Sequence, residues 1–262
     1  MNVVTIYTEG KRGSHDFDVI NQVIGGLVGP QIVPIGGKKG AKAVIQTHEK
    51  LATKSDYFLF FRDRDFDQPL PDKEELTIDG YTYFSYKTTI ENYFLNERTL
   101  QSYFQNVANI DLDVRAELVR AAKHIQYHQA VRMALGKLRV PMDFGTNIAT
   151  QSGQLPSDIS LVACKSKGWQ LIAKKLNLIT DWNKANFDQE VDDFVAGFDD
   201  NFYETEAFTH SFQGKDLAKS LSKLNAHFNP KEFYTYAKSI FDYQQFADLV
   251  QLRAIVKGKL QA

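Results

Sequence analysis

Residues 57–67 read Tyr-Phe-Leu-Phe-Phe-Arg-Asp-Arg-Asp-Phe-Asp, an apolar run of strand length that stops at alternating carboxylates. Working outward, Val3-Val4-Thr5-Ile6-Tyr7-Thr8 is a second such run, and it stops at Glu9-Gly10-Lys11. Both have the β-branched and aromatic composition of strands. Between them, residues 16–28 space Phe17, Ile20, Val23, Ile24 and Leu27 along one side of a helix, and 31–35 read as a short strand. Residues 39–53 then read as a second helix, 56–61 as the third strand and, after a polar loop at 68–75, Tyr81–Tyr86 as a fourth. Strand-helix alternation of this kind predicts an α/β fold, a parallel sheet flanked by helices with right-handed crossovers.

Beyond residue 97 the pattern turns mostly helical, so the expected organisation is an α/β domain over 1–97 and a helical region over 98–262. A long helix is expected over 111–138, where Leu118, Ala122, Ile125, Val131, Leu135 and Leu138 recur at helical spacing. Pro141, Gly145, Gly153 and Pro156 mark 139–158 as loop. Further helices are expected at about 166–177, 187–196, 214–226 and 230–256. The aromatics Phe228, Phe233, Tyr236, Phe241 and Phe246 are read as helical core rather than as a platform for stacking bases.

A net charge of −1 over 262 residues argues against a surface that binds nucleic acid everywhere, so any such contact must be local. The single cysteine, Cys164, excludes an internal disulfide framework and suits a reducing cytoplasm. It lies in Leu161-Val162-Ala163-Cys164, as a buried small hydrophobe rather than a nucleophile. No apolar stretch approaches the roughly 20 residues of a membrane span, and the chain enters a strand at once with no signal peptide, so a cytoplasmic protein is expected. Locally, residues 115–139 carry six cations against Glu117, and 188–206 carry eight acids and no base. Both runs read first as solvated helix faces. The functional alternative is a basic face for phosphates and an acidic face for a protein partner.

In an open parallel sheet, ligands sit at the carboxyl ends of the strands. The two strand-end motifs would gather Glu9, Asp63 and Asp65 there, and crowded carboxylates repel one another unless a hard cation lies between them. On an extended segment Asp63 and Asp65 share one side, with Asp67 continuing the spacing as a further ligand. The glycine of Glu9-Gly10-Lys11 permits a tight turn, and Lys11 can neutralise a phosphate. Gly36-Gly37-Lys38-Lys39-Gly40 opens a helix after the second strand, making a seat for anions with Lys38 and Lys39, although Walker-loop spacing is absent. The chemistry this predicts is a Mg²⁺ or Mn²⁺ site acting on phosphate.

The order of these motifs resembles the Toprim domain of topoisomerases, bacterial primases and OLD-family nucleases, over residues 1–95. It is most similar to the stand-alone Toprim effectors of PARIS-type anti-phage defence, which are paired with an ABC-type ATPase. The resemblance rests on Thr8-Glu9-Gly10-Lys11, Pro34-Ile35-Gly36-Gly37-Lys38-Lys39, Arg62-Asp63-Arg64-Asp65-Phe66-Asp67 and Thr89-Ile90-Glu91-Asn92-Tyr93-Phe94. It implies a metal-dependent nuclease acting on tRNA or DNA as a toxic effector, with homodimerisation left open. It further implies roles for Glu91 as a metal ligand and Lys215 as a catalytic cation. The OLD-like pattern places a second acid four positions after the first glutamate. Gly13 stands there, so Asp16 is favoured over Asp18 as its counterpart.

Other readings compete. His124 and His128, spaced i,i+4, could bind Zn²⁺, but exposed helix polar residues are the plainer reading. Haloacid-dehalogenase-like phosphatases also use Asp-x-Asp after a strand. They want a small hydroxyl residue where Asp67 stands, and a nucleophile after the first strand. A non-catalytic Toprim-like adaptor in an ATPase complex is the remaining alternative.

Overall fold

A computed structural model describes residues 3–36, 38–51, 56–66, 68–142, 155–174 and 182–261. The chain forms two compact units, one of Met1–Arg64, Leu70–Tyr93 and Lys238–Ala262, the other of Asp65–Pro69 and Phe94–Ala237. A single boundary at 97 therefore does not capture the division, because the last 25 residues belong with the sheet.

The first unit is α/β. Its strands are β1 (Val3–Thr8), β2 (Pro30–Pro34), β3 (Asp56–Arg62), β4 (Thr77–Asp79) and β5 (Thr82–Phe84), in the sheet order β2-β1-β3-β5-β4. All neighbours are parallel except β4 and β5, a hairpin at the sheet edge. The three-residue β4, too short to show a period, is absent from the sequence reading. Val4, Ile6, Phe58, Leu59, Phe60 and Phe61 are all buried, as expected of strands covered on both faces. Helices α1 (His15–Val23) and α2 (Lys38–Leu51) make the crossovers. The first ends five residues before the expected 28, because Gly26 adopts φ +76°, a left-handed conformation that stops a helix.

The second unit is helical: α3 (Glu97–Asn106), α4 (Val114–Met142), α5 (Leu161–Ala173), α6 (Lys184–Ala196), the short α7 (Asp200–Glu204) and α8 (Phe208–Ser211), α9 (Gly214–Leu224) and α10 (Pro230–Ser239). On α4, Ala130, Val131, Ala134 and Leu135 pack with Cys164, Ile172, Phe187 and Val191. Burial pushes the Cys164 thiol up to about 11, which suits a packing residue and not a nucleophile. A second cluster joins Tyr103 and Phe104 to Phe228 and Phe233.

The helix expected over 230–256 is two helices. After α10 the chain breaks at Asp242, whose carboxylate accepts the Gln244 N–H at 3.0 Å, before α11 (Ala247–Gln261). The aromatic spacing runs on through this break, which is why it reads as continuous. Phe241 and Phe246 stack on each other within the first unit, where Phe246 also meets Tyr93. There α11 packs against α1, with Arg253 donating to the carbonyls of Val23 and Gly25.

Candidate functional site

In the first unit, parallel pairing aligns Thr8 of β1 with both Pro34 of β2 and Phe61 of β3. The three strands therefore end side by side. The alignment continues past the strands, since Ile35 N–H donates to Thr8 O at 2.9 Å and Gly36 N–H to Gly10 O at 3.2 Å. Glu9-Gly10, the start of the basic turn and Arg62-Asp63 thus share the carboxyl edge of the sheet, where ligands bind in such folds.

Two of these turns are held by side-chain hydrogen bonds. The Gly10 amide donates to the Asp16 carboxylate at 2.6 Å, so Asp16 clasps the turn that carries Glu9. A Cβ at position 10 would lie 2.2 Å from Ser14 Oγ and 2.3 Å from Asp16 Oδ1, so any larger residue there would displace the side chains that hold the turn. Arg62 Nε stands 3.9 Å from Glu9 Oε2. Asp63 Oδ1 accepts the Ile90 N–H at 2.9 Å, which ties the end of β3 to a short 3₁₀ turn, Ile90–Tyr93. Glu91 lies in that turn and is 2% exposed.

The same turn is anchored on its far side. Asp248 of α11, fully buried, accepts the Tyr86 N–H at 2.9 Å and the Tyr93 hydroxyl through Oδ2. Burial raises the Asp248 carboxyl, against the lowering effect of these donors and of Lys87. Arg64, the middle residue of Asp-x-Asp, is itself buried and donates to Tyr86 O at 3.0 Å and Thr88 Oγ1 at 2.9 Å.

Asp65 belongs to the second unit. Its φ is +48°, and β3 ends at Arg62, so the extended alternation that would face both aspartates one way does not continue that far. Asp65 Oδ1 accepts Gln213 Nε2 at 3.2 Å. Gln213 precedes α9, and its own N–H donates to Gln129 Oε1 at 3.0 Å. Gln129 Nε2 donates in turn to Asp216 Oδ2 at 2.8 Å. Asp216 is fully buried and paired with Arg132 at 3.0 Å, and His128 Nε2 lies 3.8 Å away. Burial, reinforced by Arg132 and Lys167 and opposed by Asp216, holds His128 down at about 4, so it is neutral near pH 7. His124 contacts Ser220 Oγ through Nδ1 at 2.9 Å, and His128 is buried rather than exposed as the sequence suggested.

Lys215 is exposed one residue into α9, and Lys11 is exposed beyond Glu9-Gly10. The side chains of Lys38 and Lys39, at the start of α2, and the whole of Asp67 lie outside the described residues. Among the described residues no three His, Cys, Asp or Glu side chains come together as a metal cage. The donor chemistry nonetheless fits Mg²⁺, which is commonly held by one or two carboxylates and completed by water and substrate phosphate. Glu9 and Asp63, at the ends of adjacent strands, are two carboxylates that could take that part.

The polar residues behind these carboxylates carry no sequence pattern of their own. Asp248, Gln213, Gln129, Arg132 and Arg62 are each single polar residues in ordinary surroundings. The one available signal was adjacency, since Arg62 precedes Asp63 and Asp216 follows Lys215. Neither protein-family models nor curated proteins yield a match to this chain. No helix among the described residues is long and apolar enough to cross a membrane.

Proposed function

We propose that this protein is a metal-dependent nuclease, a Toprim-like effector of anti-phage defence that hydrolyses phosphodiester bonds in tRNA or DNA under control of an ABC-type ATPase. The observation that carries the reading is the placement of Glu9 and Asp63 at the carboxyl ends of adjacent parallel strands, each on a turn fixed by a named hydrogen bond. The effector role and the ATPase partner rest on the Toprim resemblance of the motifs.

Glu9 and Asp63 would hold Mg²⁺ or Mn²⁺, with Asp16 and Glu91 as the further candidate ligands. The bound ion supplies charge neutralisation at the scissile phosphate. Glu9, as ligand or as general base, serves the attacking water, taking its proton in the second role. The new P–O bond forms as the bond to the leaving ribose or deoxyribose oxygen breaks, and that oxygen takes up a proton. Lys215 offsets negative charge on the phosphorus centre, while Lys11, Lys38 and Lys39 hold flanking phosphates.

The test is incubation of labelled total tRNA and of plasmid DNA with Mg²⁺ or Mn²⁺, beside Asp63→Ala and Glu9→Ala proteins shown to be folded. Cutting that needs metal and disappears in both variants is the expected result, and the substrate that is cut names the class. Variants that cut as fast as wild type would refute the assignment. If wild type is silent even with the ATPase present, the adaptor reading takes its place.

A further inference from the structure

We infer that the exposed face of α9 is a track for a nucleic-acid phosphate backbone, formed by Lys215, Lys219 and Lys223 and running away from Asp65. The inference deepens the nuclease reading, and its new content is Lys219 and Lys223.

The three lysines stand four residues apart, so they lie in one row on the helix surface. At 1.5 Å rise per residue the row is about 12 Å long. All three are exposed, while Leu217, Ala218, Ser220 and Leu221 on the opposite side are buried. The only acid of α9, Asp216, is fully buried and paired with Arg132, so it does not offset the row. The helix therefore presents positive charge alone.

Several cations elsewhere in the unit are matched to acids. Arg115 pairs with Glu206 at 3.3 Å, Arg120 with Glu117 at 2.7 Å and Lys165 with Asp192 at 2.6 Å. Lys137 pairs with Glu190, and Lys184 with Asp188. The basic run of α4 and the acidic run after 188 are thus largely consumed within the protein. Lys219 and Lys223 have no ion pair among the described residues.

The row also has a direction and a firm base. Gln213, directly before α9, donates to Asp65, so the Lys215 end lies at the candidate carboxylate and the Lys223 end leads away from it. Bonds from Gln129 and Arg132 to Asp216, and from Ser220 Oγ to Ala121 O at 2.7 Å, fix α9 on α4. Evenly spaced ammonium groups on a rigid helix suit a repeating polyanion. They read no base, so the chemistry recognised is the phosphodiester backbone.

The experiment is fluorescence anisotropy with an RNA strand and a DNA strand of equal length, in EDTA so that nothing is cut. It compares wild type with Lys219→Glu/Lys223→Glu and with Lys231→Glu, an exposed charge reversal on α10. The double variant should bind at least about tenfold more weakly at low salt. Its plot of log Kd against log salt should flatten by roughly one to two contacts' worth of slope. Lys231→Glu should change affinity less than about twofold, and the two strands identify RNA or DNA as the source of the backbone. Equal weakening by Lys231→Glu, unchanged binding by the double variant, or no binding by wild type would overturn the track. Cleavage by wild type alongside unchanged binding by the double variant sinks the track and spares the nuclease. Tight, salt-sensitive binding through these lysines without cleavage does the reverse.

Discussion

Two aspartates, one in each unit, are fully buried, and the protein satisfies them in opposite ways. Asp216 in the helical unit has a guanidinium at 3.0 Å and an amide donor at 2.8 Å. Asp248 in the sheet unit is held by a tyrosine hydroxyl and backbone amides, with Lys87 acting only at longer range. One is half of a buried ion pair. The other is an acceptor whose carboxyl burial pushes toward the neutral form. The contrast teaches that the candidate carboxylates rest on two kinds of support, because Asp216 lies behind Asp65 while Asp248 lies behind the turn that bonds Asp63.

The largest effect should come from separating the ion pair. Asp216→Ala removes a counter-charge from the buried Arg132 and strips Gln129 of an acceptor. Breaking a buried pair from one side costs about 3–5 kcal/mol. Urea denaturation should show that loss, and a change under about 1 kcal/mol would mean that Arg132 finds another partner and that the two aspartates are less different than their surroundings suggest.

A somewhat smaller effect should appear with acid, through the helical unit's cluster. His128 sits beside Asp216 with its pKa lowered from 6.5 to about 4. Between those values the unfolded chain binds a proton that the folded chain does not, so stability falls as pH drops from about 6.5 and levels off near 4. The loss is about 3 kcal/mol at most, at 1.36 kcal/mol per pH unit. His128→Gln should remove that acid limb from the stability profile, and a limb that persists in the variant would assign it elsewhere.

What the sequence made legible follows the same divide. The parallel sheet could be read because β1 and β3 are apolar runs with an abrupt polar end, and the placement of Glu9 and Asp63 follows from strand order and direction alone. The supporting residues were not legible, because Asp248 and Gln213 act across more than a hundred residues of chain and carry no local period. The division of the Asp-x-Asp motif escaped for another reason. Its spacing implies extended backbone, whereas Asp65 turns into the left-handed region, which aspartate tolerates better than most residues. The ion pairs of the acidic run after 188 were not legible either, since counting charges does not show that Glu190, Asp192 and Glu206 face Lys137, Lys165 and Arg115.

The smallest effect should be Asp248→Asn, and it is the most discriminating. An asparagine keeps one carbonyl oxygen where Oδ2 accepts from Tyr86 and Tyr93, and loses chiefly the weak local bond from Leu249 N–H. No cation sits in direct contact to be orphaned, so the cost should be about 1 kcal/mol, the scale of a single neutral hydrogen bond. The sign of the pH dependence should also oppose that of His128. With its pKa raised from 3.8, Asp248 holds its proton in the folded chain where the unfolded chain has released it, so stability from this group is lost as pH rises from about 4. Asp248→Asn should flatten that slope, while Asp216→Asn, tested in parallel, should cost several times more. Equal losses from the two asparagine variants would show that Asp248 is a full charge held by Lys87. The sheet unit would then stabilise its candidate turn by the same ionic device as the helical unit.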